Sequence, residues 1–252
     1  MIIYAQNIED ASLAVVTGTA HASYPVDNLA SLVKNKTFRT ASGSSLVPAI
    51  TIDLGAARAC NYILLGGMSS GLYGGGDFIN LYCGSTDNGS TWDINPVVDS
   101  FIGSENKVFT FSSTTKRYWK IEFEEFDNNA ADYISHIFMG TYYETPNNGE
   151  LNGNVGYNYE NVIAINNNSY QQRYAIADRR ATESRSIRGF TEAQKDAFIA
   201  HFNTYCSGTL KPFYYTRDDD TVGFGHFFTN PFLFRKITHD FYETTIDVME
   251  QL

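Results

Sequence analysis

Thr51-Ile52-Asp53-Leu54-Gly55 is the stretch from which the fold of this chain is read. Ile50, Ile52 and Leu54 alternate with Thr51 and Asp53, the period of a strand with one wet face. Just downstream, Tyr62-Ile63-Leu64-Leu65-Gly66-Gly67 opens on a continuous apolar run, as expected of a strand buried on both sides. Working outward, Phe78 to Cys83 reads as a strand, and Asp87-Asn88-Gly89, within Ser85 to Trp92, reads as a hairpin turn. Val108 to Phe111 and Tyr118 to Phe123 both alternate, which predicts two more strands. Ile134 to Tyr143 closes the set, with Ile137, Met139 and Thr141 on one face and Phe138, Gly140 and Tyr142 on the other. Upstream, Ser12 to Thr19 reads as one strand. Tyr24-Pro25-Val26-Asp27-Asn28-Leu29 is a turn in which Pro25 pins the backbone and Asp27 and Asn28 can bond back to nearby amides.

Composition sets the limits. The chain has 252 residues, 43% apolar and 18% charged, enough for one large all-β domain or two smaller ones with proper cores. Aromatic residues make up 15%, nearly all Tyr and Phe, which suits strands and contact surfaces alike. A formal charge of −10 argues against sequence-independent nucleic-acid binding, which Lys and Arg drive, and against attachment to anionic lipid. Cys60, Cys83 and Cys206 are odd in number and lack zinc-ligand spacing, so reduced, buried thiols are expected. The N-terminal residues lack a basic segment and a long apolar core, and no run of eighteen apolar residues occurs. The expectation is a protein made in a cytoplasm, without membrane insertion.

Glu144 to Asn158 holds Pro146, three glycines and five asparagines, which is linker composition. It sets a predicted boundary between residues 1–147 and 148–252. Beyond it, residues 162–165 and 174–177 read as strands. A helix near residues 191–207 is marked by a capping box of Thr191 and Gln194, an apolar stripe of Phe198, Phe202 and Tyr205, and a stop at Gly208. Lys211 to Thr216, Phe224 to Thr229, Leu233 to Ile237 and Phe241 to Met249 read as aromatic-rich strands. The predicted class is all-β, with one helix in the second domain laid across a sandwich or barrel.

No reaction stands out. Gly66 to Gly76 contains six glycines, but no Gly-Lys-Ser/Thr and no helix pattern follows, so it reads as a loop rather than a phosphate cradle. Arg217-Asp218-Asp219-Asp220 points its carboxylates in different directions and reads as a solvated turn rather than a cation site. Glu122, Glu124 and Glu125 read as a wet strand face. The histidines at 21, 136, 201, 226 and 239 are scattered, and no Gly-x-Ser-x-Gly occurs. No catalytic residue, metal ligand or cofactor is expected.

Residues 24–143 resemble the discoidin-like, or galactose-binding-like, β-sandwich modules found in coagulation factors, carbohydrate-binding modules and phage tail proteins. The resemblance is carried by Tyr24-Pro25-x-x-Asn28-Leu29, Asp53-Leu54-Gly55, the Ser85 to Trp92 turn and Arg117-Tyr118-Trp119-Lys120-Ile121. It implies binding through loops at one end of the sandwich. The nearest candidates are Tyr73 in the glycine loop and Asp127 and Asn128 in the 127–132 loop. Residues 161–252 are similar to minor and distal tail proteins of long-tailed phages, through Phe190-Thr191-Glu192-Ala193-Gln194 and Gly208-Thr209-Leu210-Lys211-Pro212-Phe213. That resemblance implies a structural subunit of a tail tip or baseplate, located in the virion tail. It would form a homo-oligomer and contact the tail tube, tape measure or hub. The alternative it leaves open is a carbohydrate-binding module that recognises a cell-surface glycan on the host.

Overall fold

The structure, a computed structural model, describes residues 1–5, 8–17, 19–33, 35–41, 49–69, 78–85, 94–100, 105–123, 132–146, 151–158, 161–165, 171–175, 180–217, 221–227 and 232–250. For residues 16–17, 78, 94–100, 151–158, 161–165, 171–175 and 180–181 only the backbone is described. The chain divides into two compact units, residues 4–142 and residues 1–3 with 143–252. The division between Tyr142 and Tyr143 differs from the sequence-based one after residue 147. Pairing is the reason: β1 (Ile2–Tyr4) sets Ile2 opposite Glu144 and Ile3 opposite Tyr143, and the Met1 amino group donates to Thr145 Oγ1 at 3.0 Å.

The first unit is a curled sheet. β2 (Ser12–Thr17), β3 (Ala49–Gly66), β4 (Phe78–Gly84), β5 (Ile94–Ser100) and β6 (Lys107–Phe123) lie in the order β2-β3-β6-β4-β5, and β7 (His136–Gly140) pairs with β3. The two short strands expected around Ile52 and Leu64 are one strand of 18 residues, and those around Phe109 and Trp119 are one of 17. Between them Arg58, Ala59 and Cys60 pair with Lys116, Thr115 and Thr114, with register breaks after Asp53 and Cys60. Gly55 to Ala59 are exposed, so this ribbon has no dry face and hence no hydrophobic period to read.

Both halves of β3 reach one core. Ile52 and Leu54 from the first half and Ile63 and Leu65 from the second join Phe109, Trp119, Ile121 and Met139 in a single buried cluster, so the sheet curls around it. The alternate residues Tyr62 and Leu64 are fully buried too. The Tyr62 ring packs on Tyr4 at 5.0 Å and Tyr142 at 6.4 Å. The run Tyr62 to Leu65 is therefore buried on both faces, as its sequence predicts. All three cysteines are buried and none forms a disulfide.

The second unit adds β8 (Tyr143–Glu144), β9 (Leu151–Asn158), β10 (Asn161–Ile165), β11 (Gln171–Ala175), β12 (Arg180–Phe190), α1 (Glu192–Tyr205), β13 (Phe213–Thr216), β14 (Val222–Phe227), β15 (Arg235–Lys236) and β16 (Tyr242–Glu250). Its main sheet runs β8-β1-β13-β14-β16-β12-β9, with β15 beside β16, while β10 and β11 pair only with each other. Among the described residues the chain is thus all-β with one α-helix, as expected.

α1 starts on the capping box read from sequence. Thr191 Oγ1 accepts from the Gln194 amide, and the Thr191 amide donates to Gln194 Oε1. Phe198 and Phe202 are buried, and their rings meet Phe227 and Phe232 at 4.6 to 6.2 Å. Tyr205, the third residue of the expected stripe, is only half-buried. Gly208 ends the helix with φ +73°, and its amide closes on Phe202 O at 3.3 Å. No helix among the described residues is long and apolar enough to cross a membrane.

Candidate binding site

The site forms where β3 ends and β6 and β7 begin. Antiparallel pairing brings these three points to one end of the sheet, with Leu65 opposite Lys107 and Gly66 opposite His136. There the segment around Phe38 pairs with the segment around Ile134. Phe38 N–H donates to Ile134 O at 2.7 Å, and Ile134 N–H donates back at 3.2 Å. Phe38 and Ile134 belong to the buried core. Side chains alternate across extended backbone, so Thr37, Arg39, Tyr133 and Ser135 project away from that core. With Tyr24, Asn35, Gly67 and Glu105, these four line an open pocket of about 380 Å³.

Local sequence fixes each wall. Pro25 precedes a 3-10 turn over Val26–Ala30. The Asn28 side chain does not cap a nearby amide, as the turn reading suggested; it donates to Thr37 O at 2.8 Å and ties the turn to the pocket strand. Tyr24 is held at both backbone ends, its N–H donating to His21 O at 2.9 Å and its carbonyl accepting from Arg39 N–H at 3.3 Å. The Arg39 guanidinium carbon then lies 4.3 Å from the centre of the Tyr24 ring and 5.3 Å from that of Tyr133. Each such cation–π contact is worth about 0.5–1 kcal/mol near a surface, enough to hold the planar group in place.

The floor depends on a glycine. Gly67 has φ +62°, and a Cβ there would sit 2.6 Å from Ser135 Oγ and 2.7 Å from Ser135 Cβ. That hydroxyl donates to Gly67 O at 3.1 Å, while Asn106 Oδ1 accepts from Gly67 N–H at 2.9 Å. The next amide, of Met68, donates to Glu105 O at 3.0 Å and positions the acid. Behind the wall, Ser69 Oγ donates to the buried Asp132 carboxylate at 3.0 Å, and Tyr133 N–H donates to the same hydroxyl at 3.1 Å.

The pocket therefore presents a guanidinium, a carboxylate, an amide and two hydroxyls around aromatic rings. Such a set can make paired hydrogen bonds to a ligand with several hydroxyl groups. The Ser135 hydroxyl is committed to Gly67 O rather than to a base. Cys60 and Cys206 have thiols pushed up to about 12 by burial, far from nucleophile range.

Tyr73, Asp127 and Asn128 lie outside the described residues, as do Asp218, Asp219, Asp220 and the Asp87-Asn88-Gly89 turn. Gly67, near the start of the glycine loop, lines the pocket, and Asp132, at the end of the 127–132 loop, pairs with Ser69 behind it. Sequence reasoning missed Tyr24, Asn35, Arg39, Glu105 and Tyr133. Tyr24 was noticed only as part of a fold motif, and the others carry no spacing that marks them. Arg217 pairs with Glu183 at 3.1 Å and Glu250 at 2.9 Å, and Glu122 pairs with Lys120 at 2.6 Å. No group of three or more His, Cys, Asp or Glu side chains able to hold a metal occurs among the described residues.

The chain is similar to solved carbohydrate-binding modules. One is a CBM32 module from Clostridium perfringens, in complex with GalNAc-β-1,3-galactose: 12% identity, 55% of this chain and 99% of that one, TM-score 0.44. A second is the family 32 module of NanJ from C. perfringens, in complex with galactose: 16% identity, 56% of this chain and 99% of that one, TM-score 0.43. A third is chitosan-binding module 2 of a chitosanase/glucanase from Paenibacillus sp. IK-5, in complex with chitotriose: 16% identity, 55% and 99% coverage, TM-score 0.40. No family model and no curated protein matches the chain.

Proposed function

We propose that residues 4–142 form a carbohydrate-binding module that recognises a cell-surface glycan. The observation that carries this reading is the Arg39 guanidinium set against Tyr24 and Tyr133 in a polar pocket of about 380 Å³. That volume falls in the range of small-ligand sites, about 300–1,000 Å³. Vicinal sugar hydroxyls match the fork of guanidinium donors, with Glu105 and Asn35 as acceptors opposite. The reading assigns binding and no chemical step. Its test is a broad glycan array with the intact chain, Arg39→Ala and Tyr133→Ala, all checked for native circular dichroism. Hits lost in both variants support it, and an array blank for the intact chain rejects it.

The second reading is a structural subunit of a phage tail tip or baseplate. It is favoured by exposed apolar side chains in the second unit, Leu210 at 83% and Leu233 at 81% exposure, which subunits in an assembly would cover. It expects a homo-oligomer or capture of tail neighbours. A strictly monomeric protein that ignores tail-tube and tape-measure proteins rejects it.

A further inference from the structure

The outer face of the main sheet in the second unit carries a different cluster. β12, β16 and β15 are neighbours, and their register sets Arg188 opposite Glu243 and Glu243 opposite Arg235. Ile187, Thr244 and Ile246 are buried, so the alternate residues Ser186, Arg188, Glu243 and Thr245 face outward. Glu243 gives one oxygen to each arginine: Oε2 lies 2.8 Å from Arg188 Nε, and Oε1 lies 2.8 Å from Arg235 Nε. One row along the sheet, Ser186 Oγ lies 3.3 Å from Thr245 Oγ1. With Leu233 these side chains line a hollow of about 260 Å³.

Hydrogen-bond stoichiometry leaves this row with more donors than Glu243 can accept. Two guanidinium groups bring about ten N–H donors, whereas one carboxylate offers about four lone-pair positions. The arginine side chains are 51% and 76% exposed, so water takes the remaining donors. The three side chains carry a net single positive charge on a chain of net charge −10. Glu243 thus bridges the two guanidinium groups without neutralising both.

We propose that the Arg188–Glu243–Arg235 row is a second ligand site, specific for a uronate residue of an acidic glycan. A carboxylate fits the fork of a guanidinium edge to edge, and a monoanion matches the single unbalanced charge. The hydroxyls of Ser186 and Thr245 suit ring hydroxyls, and Leu233 offers an apolar surface for ring C–H groups. This site lies in the second unit and stands or falls apart from the pocket around Arg39.

The test titrates the full chain with sodium D-glucuronate, D-glucose and sodium sulfate, followed by amide NMR shifts. Glucuronate is expected to saturate in the millimolar range with shifts in β12, β15 and β16, and glucose to give none in those strands. Arg188→Gln and Arg235→Gln, both at exposed positions, each weaken binding about tenfold, the loss of one charge-assisted pair. Glu243→Gln tightens binding, because the competing carboxylate is gone, whereas a merely structural role for Glu243 would weaken it. Shifts around Gly67 and Tyr133 report the pocket of the first unit instead and are scored apart. Equal binding of glucose, tighter binding of sulfate, insensitivity to both arginine variants, or weaker binding by Glu243→Gln overturns the proposal.

Discussion

Asp53 and Arg117 meet edge to edge, Nε donating to Oδ1 at 2.7 Å and the outer guanidinium nitrogen to Oδ2 at 2.8 Å. Asp53 Oδ1 also accepts from Gly55 N–H at 2.8 Å, with Gly55 at φ +74°. The Asp-Leu-Gly and Arg-Tyr-Trp motifs are therefore two sides of one contact, at the point where β3 and β6 leave the core for the exposed ribbon. The arginine hydrogen bonds hold the Asp53 carboxyl below the ordinary carboxylate range.

A group with a depressed folded pKa contributes stability above its unfolded pKa and loses it as pH falls through the folded one. The intact chain should thus lose stability relative to Asp53→Asn as pH drops below about 4, the unfolded carboxylate range. Urea midpoints of the two proteins at pH 7 and pH 3 check this. The gap between them is expected to close on the acid side and to shrink at high salt, because the pair is partly exposed.

Burial pushes the His201 imidazole down to about 4. Its ring packs against Tyr143 at 5.5 Å and Tyr205 at 4.8 Å. An unfolded imidazole titrates near 6.5, so above that pH both states are neutral and the residue adds no pH dependence. Between about 6.5 and 4 only the unfolded state takes the proton, and stability falls with pH. Thermal melts from pH 7 to pH 4 should show a slope that His201→Phe flattens.

Gly67→Ala places a methyl group against Ser135 and forces a left-handed backbone on alanine. The expected cost is about 1–3 kcal/mol by denaturant titration. The same variant should lose glycan affinity, since it displaces the hydroxyl and the carbonyl that shape the pocket floor.

Thr191→Ala removes one half of the capping box of α1. The expected loss is about 1 kcal/mol, or about 2–4 °C in Tm for a chain of this size. Calorimetry should show it in the transition of the second unit, and Thr191→Ser should restore most of it.

The legible parts of this protein were those with a regular chemical period. Tyr62 to Leu65 announced a doubly buried strand, and Thr191 with Gln194 announced a helix start to the residue. The ribbon around Gly55 to Ala59 was hidden because both of its faces are wet. The pocket was hidden for a different reason. Tyr24, Arg39 and Tyr133 are far apart in sequence and are brought together by the Phe38–Ile134 bridge, which leaves no local trace.

The strand order of the second unit bears on how the chain is made. β1 is made before β8 and β13, yet these are its hydrogen-bonding neighbours. β16 leaves last among the strands of that sheet and belongs between β14 and β12, in the interior. Residues 4–142 can collapse as soon as they emerge, while the sheet they interrupt must wait with an interior place empty. Until β16 arrives, β12 and β14 each present an open edge, so slowed translation between β14 and β16 would leave the nascent chain most exposed to strand-mediated aggregation.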